Sequence, residues 1–176
     1  AFSGSELNVE GAAIVGGALL RLFQRGNGAA REDLVPVHAT CDVELDAFLA
    51  WLDRGAAFPA LRAITRYELG GAAGVAYGFT DAVAIDDTRV AFLAGAEDSP
   101  DTFRDGAVVG CAFGVIEEGE VRMTPILEPD GTPSTRKLEG IELLASGPAH
   151  GFAVVSDPDA AERPAELGTL VVMGLG

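Results

Sequence analysis

Basic residues are scarce. Only 12 Lys and Arg stand against 27 Asp and Glu, so the net charge is -15. That balance excludes a nucleic-acid backbone as the main partner, because phosphates are held by Lys and Arg. It suits a protein that binds cations, and equally one whose acids keep a Gly- and Ala-rich surface in solution. Cysteine is nearly absent: Cys41 and Cys111 are far apart in sequence, with no CxxC pair, which argues against a zinc site and predicts two small apolar core residues, a disulfide between them being the alternative. Histidine occurs twice. His38 lies in a strand-like run and His150 near a turn, so neither is expected to act as a base. No apolar run approaches the length of a membrane span. Nucleophile-elbow, phosphate-loop, dinucleotide-fold and HExxH signatures are missing, which removes local support for hydrolysis by a Ser-His-Asp triad. The first residues, Ala-Phe-Ser-Gly, show no signal peptide, and the compartment stays open between cytoplasm and periplasm.

Glycine is plentiful, at 23 residues, and falls mostly between short apolar runs, the pattern of an all-β protein with many turns. One stretch recurs three times: Asn8-Val9-Glu10-Gly11-Ala12-Ala13-Ile14-Val15, Phe79-Thr80-Asp81-Ala82-Val83-Ala84-Ile85 and Lys137-Leu138-Glu139-Gly140-Ile141-Glu142-Leu143-Leu144. Each copy sets a carboxylate before an apolar run. A turn and a second apolar run follow: Leu19 to Phe23, Val90 to Ala94, Gly151 to Val155. The turns are Gly16-Gly17, Asp86-Asp87 and Ser146-Gly147-Pro148, of which Gly-Gly supplies the positive φ that a tight hairpin needs. An antiparallel hairpin brings the start of its first strand beside the end of its second. Glu10 is therefore expected near Arg25 and Asn27, Asp81 near Glu97 and Asp98, and Glu139 near Asp157.

The carboxylates fall at residues 10, 81 and 139, steps of 71 and 58 that suit four-stranded propeller blades with insertions. Residues 34–40 and 61–69 read as the third and fourth strands of the first blade. Residues 107–116 and 120–127 do so in the second, and residues 167–173 give the third blade a third strand. Leu45, Phe48, Leu49 and Leu52 share one helical face, which predicts an inserted helix over 43–54, closed by Gly55 and carrying Trp51 as core or rim cover. The expectation is a partial all-β propeller of about three blades, roughly 8–70, 75–128 and 135–176, in one domain.

Inner strands of a propeller converge on an axis, where carboxylates at equivalent places face one another. Like charges so placed raise each other's pKa or call for a cation. Glu10, Asp81 and Glu139 are thus candidate ligands of a calcium ion, with Asn27, Glu97, Asp98 and Asp157 beside them. The acidic turn Glu97-Asp98-Ser99-Pro100-Asp101 is the densest cluster of oxygens. Arg25 is the candidate ligand-binding residue, suited to a phosphate or carboxylate; its alternative is a pair with Glu10. Gly26 and Gly28 read as turn residues. If an enzyme, the chain is a metal-assisted hydrolase of an ester, lactone or phosphoester. If not, it is a binding module for a small molecule or a protein, with the acids capping strand ends and pairing with Arg25 or Arg136.

These repeats, with Phe-Gln-Arg-Gly-Asn-Gly (23–28), Gly-Phe-Thr-Asp-Ala (78–82), Ala-Glu-Asp-Ser-Pro (96–100) and Lys-Leu-Glu-Gly-Ile (137–141), resemble a bacterial β-propeller family of unassigned function, akin to the phytase-like and esterase-like propellers. The resemblance implies further blades N-terminal to this segment. A fainter resemblance reaches the gluconolactonase and paraoxonase-like propellers, in which a Glu-Gly pair opening an inner strand supplies a ligand to an axial calcium. That implies such a role for Glu10, and for Asp81 and Glu139 in the other blades. The basic phosphate-binding residues of the phytase propellers have no evident counterpart here.

Overall fold

A computed structural model describes residues 1–98, 106–145, 149–160 and 162–175. The described residues form twelve strands and one helix: β1 (Val9–Val15), β2 (Leu19–Gln24), β3 (His38–Glu44), α1 (Leu45–Arg54), β4 (Arg62–Tyr67), β5 (Gly71–Ala72), β6 (Val75–Ala84), β7 (Arg89–Asp98), β8 (Ala107–Glu117), β9 (Glu120–Pro125), β10 (Leu138–Ala145), β11 (Ala149–Ser156) and β12 (Glu166–Met173). They make three antiparallel sheets of consecutive strands: β1-β2-β3-β4, β5-β6-β7-β8-β9 and β10-β11-β12. The architecture is an all-β, partial propeller-like arrangement. Among the described residues, no helix is long and apolar enough to cross a membrane.

Two cores separate the three sheets. Between the first and second lie Phe23, Phe79, Phe92 and Ile116. The Phe79 ring meets Phe23 and Phe92 edge-on, at centroid distances of 5.2 and 5.0 Å. Between the second and third lie Leu93, Phe113, Phe152 and Val154. The middle sheet is therefore covered on both faces. Alternation along β7 sorts its side chains: Val90, Phe92, Ala94 and Ala96 face the first sheet, while Ala91 and Leu93 face the third.

Each inner strand breaks that alternation at the same place. Pairing slips by one residue between Val9 and Gly11 in β1, between Phe79 and Asp81 in β6, and between Leu138 and Gly140 in β10. The extra residues are Glu10, Thr80 and Glu139, each a β-bulge that reverses which face the following side chains take. Tyr77 and Phe79 before the bulge and Ala82 after it consequently reach the same core.

Several boundaries differ from the sequence reading. The third strand runs from His38 to Glu44, not over 34–40, and the helix starts at Leu45, not Val43. β3 stays in ladder register with β2 through Leu19↔Glu44, so the strand keeps residues that the helical pattern also claims. Gly55 ends α1 at φ 64° as expected. None of the helix residues is buried, and Trp51 packs at the rim against Phe48 and Phe58. His150 is not in a turn; it is buried in β11 and stacks on Phe152. Cys41 and Cys111 are free, buried thiols. The Ser146-Gly147-Pro148 turn and the Ser99-Pro100-Asp101 part of the acidic turn lie outside the described residues. Gly16 and Gly17 do adopt positive φ, at 57° and 69°.

Candidate functional site

The bulges place Glu10, Thr80 and Glu139 at equivalent positions of the three inner strands. Asp81 is one residue further on, equivalent to Gly11 and Gly140. Aligning the repeats on the carboxylate hides this. Aligning them on the preceding apolar residue (Val9, Phe79, Leu138) reveals it. Gly11 is where two inner strands touch: a Cβ there would stand 3.1 Å from the Asp81 carbonyl carbon and the Ala82 nitrogen.

Arg25, just past β2, is the hub. It is buried, and its Nη2 donates to Glu97 Oε2 of the second sheet at 2.6 Å. Glu97 uses its other oxygen to accept the Gly106 N–H at 2.7 Å. Both side chains of the pair are less than a tenth exposed, 7% and 5%. Arg25 Nη1 lies 3.7 Å from Glu10 Oε1. Asn8 Nδ2 donates to both Glu10 Oε1 and Asn27 Oδ1, at 2.9 and 3.0 Å, so the amide oxygen of Asn27 is engaged. The backbone leaves room for the arginine stem at Gly78, whose Cβ would fall 2.8 Å from Arg25 Cγ. Gly26 is structural: it abuts Val37, and its N–H donates to His38 Nδ1 at 3.1 Å. That bond employs His38 as a satisfied acceptor, and burial pushes its pKa down.

Asp81 faces the third sheet. Its Oδ2 accepts the backbone N–H of Ile141 at 2.8 Å, joining the inner strands of neighbouring sheets. Burial raises its pKa, against the lowering effect of the Ile141 and Ala82 N–H groups. Glu139 lies 3.4 Å from Lys137 Nζ, and Lys137 also pairs with Asp159. Burial raises the Glu139 pKa, Lys137 lowers it, and the charges of Asp159 and Glu10 raise it further. The Glu10 charge thus reaches Glu139 across the inner strands.

The fold thus gathers Glu10, Arg25, Asn27 and Glu97 in one network, with Glu139 beside it. Asp81 works at the neighbouring interface. Asp98 is exposed at the end of β7, opposite Ala107. Asp157 accepts the Asp159 N–H at 3.0 Å in a local turn. Among the described residues, no three of His, Cys, Asp and Glu are grouped so as to hold a metal ion. Two cations, Arg25 and Lys137, stand beside these carboxylates.

Lys137 and Thr80 are the members of this site that sequence reading missed. Thr80 Oγ1 is buried without a hydrogen-bond partner among the described residues. It lines a cavity of about 10 Å³ with Arg25, Glu97, Lys137 and Glu139, room for a single water.

No curated protein and no solved structure matches the chain. One family model does, over residues 1–161, and its description is a family of unknown function, DUF6910. With nearly the whole sequence inside that match, the chain belongs to the DUF6910 family.

Proposed function

We propose that this chain is a non-catalytic, propeller-like binding module in which the repeated carboxylates brace neighbouring blades, and that it serves a small-molecule or protein partner. One observation carries the reading: the carboxylate oxygens near the inner strands already have partners of their own. Glu97 is held by Arg25 and the Gly106 N–H, Asp81 by the Ile141 N–H, and Glu139 by Lys137. Acids engaged in such bonds hold neighbouring sheets in register.

The second reading is a calcium-dependent hydrolase of an ester, lactone or phosphoester, akin to the phytase-like or lactonase-like propellers. It draws on the proximity of Glu10 and Glu139, two partly exposed acids from the first and third sheets, the charge of Glu10 adding to the raised pKa of Glu139. Thermal unfolding in EDTA and then in millimolar calcium separates the two. An unchanged midpoint agrees with the binding module. A calcium-dependent rise that disappears in Glu10→Gln refutes it and restores the hydrolase.

A further inference from the structure

The three bulge residues differ in one respect. Glu10 and Glu139 end in a carboxylate, while Thr80, their counterpart in the second sheet, ends in a hydroxyl. Thr80 is 5% exposed, and its Oγ1 is buried with no hydrogen-bond partner among the described residues. Its methyl group has a place of its own: a Cβ built on Gly95 would stand 3.4 Å from Thr80 Cγ2, so β7 closes against that side. A buried hydroxyl without a partner is costly, and native interiors keep few of them.

Thr80 shares a cavity of about 10 Å³ with Arg25, Glu97, Lys137 and Glu139. All three sheets contribute to it. Arg25 follows β2, Thr80 lies in β6 and Glu97 in β7, and Lys137 and Glu139 stand at the start of β10. The walls therefore come from the middle of the chain, between residues 25 and 139. The space admits one water molecule and no larger guest. Two positive and two negative side chains line it, so the charges of the walls balance, and a neutral polar guest suits them better than an ion.

We propose that this cavity binds one water molecule as a permanent part of the fold, and that the water stands in for the carboxylate end that Thr80 lacks. It accepts the Thr80 O–H and donates to the Glu97 and Glu139 carboxylates. Both have acceptor capacity left: each Glu97 oxygen takes one N–H, and Glu139 is engaged by Lys137 alone among the described residues. A threonine hydroxyl stands nearer its backbone than a glutamate oxygen, and one water makes up the difference. A bridge of this kind is nearly as good as a direct hydrogen bond, and its loss leaves every group it joined without that bond. The second sheet is thus tied to the third at the inner strands through solvent, beside the direct bond from Asp81. The site does not depend on which partner the module takes.

The test uses the 176-residue chain. A crystal structure should show one ordered water within hydrogen-bond reach of Thr80 Oγ1. Oxygen-17 relaxation dispersion, which counts long-lived internal waters in solution, should find one fewer in Thr80→Val, a variant of the same shape without the hydroxyl. Thr80→Val should also unfold about 2–6 °C below the parent, because it gives up its bond to the water. Thr124→Val, at an exposed position of β9, corrects for the gain in strand propensity. Three results each overturn the proposal: a dry cavity in the crystal; equal water counts in the parent and Thr80→Val; or a corrected midpoint for Thr80→Val at or above the parent's, which is what an empty cavity and an orphaned hydroxyl would give.

Discussion

Removing the Arg25 charge should unbalance the interface between the first two sheets. Arg25→Met keeps much of the stem volume but strands Glu97, whose side chain is 5% exposed. Breaking a buried pair from one side costs about 3–5 kcal/mol, because the remaining carboxylate is buried without its counter-charge. In a chain of this size each kcal/mol moves the midpoint by about 2–4 °C, so Arg25→Met should unfold about 6–20 °C below the parent. Adding Glu97→Gln removes the stranded charge and keeps an oxygen for the Gly106 N–H, a bond of 2.7 Å. The double variant should therefore be more stable than Arg25→Met alone, and the cycle should return a coupling energy well above 1 kcal/mol. Circular dichroism melts and urea titrations of the four proteins supply the numbers. A loss under about 1 kcal/mol for Arg25→Met, or strict additivity in the double variant, would refute the argument that the pair is buried and mutually dependent.

Asp81→Ala should cost about 1–3 kcal/mol, since the Ile141 N–H at 2.8 Å loses its acceptor, whereas Asp81→Asn keeps one and should lose less; parallel urea titrations decide. Burial raises the pKa of Asp81 and Glu139, so the folded chain binds protons that the unfolded chain releases. Their share of stability is full below the ordinary carboxylate range and falls as pH rises through the raised values, so the parent should gain stability on mild acidification and Asp81→Asn should gain less. Asp86 and Glu128, held low by hydrogen bonds from Thr88 and Ser134, act in the opposite sense and lose their contribution at more acid pH. Gly11→Ala should destabilise by about 1–3 kcal/mol, because backbone of the next strand stands 3.1 Å from the new methyl. Burial pushes the Cys41 thiol up to about 11, so iodoacetamide should label it only after denaturant is added, as mass spectrometry would record.

The sheets were legible because local chemistry agreed with the fold. Gly16-Gly17 marked a hairpin, and the apolar runs after each repeat became paired strands. The third strand was misplaced because Val43 and Glu44 satisfy two patterns, a helix start and a ladder opposite Leu20 and Leu19. The helix itself was legible from its apolar spacing, but that spacing does not give its packing, since Leu49 and Leu52 on the apolar face stay exposed. At the site, Glu10 beside Arg25 and Asn27 followed from hairpin geometry. The partner of Arg25 on the next sheet, Glu97, is 72 residues away and has no local signature. Asp81 was grouped with Glu10 and Glu139 because a bulge leaves no mark in composition; only the apolar residue ahead of it keeps the frame.

That shared bulge makes the inner strands behave like a reading frame. Upstream of residue 80 the odd-numbered side chains Tyr77 and Phe79 enter one core; downstream, even-numbered Ala82 does. Deleting Thr80, the extra residue, would leave Phe79, Asp81 and Ala82 in regular alternation, with Phe79 and Ala82 still on the same core face. Deleting Ala82 instead would put the downstream side of the strand out of phase, turning Val83 from the second core toward the first. A compensating insertion a few residues along the strand would restore the phase and leave only the short segment between the two changes misread. Small changes in length within these strands should therefore be tolerated at the bulge or in pairs, and not singly elsewhere, even though the loops between sheets already differ in length from one repeat to the next.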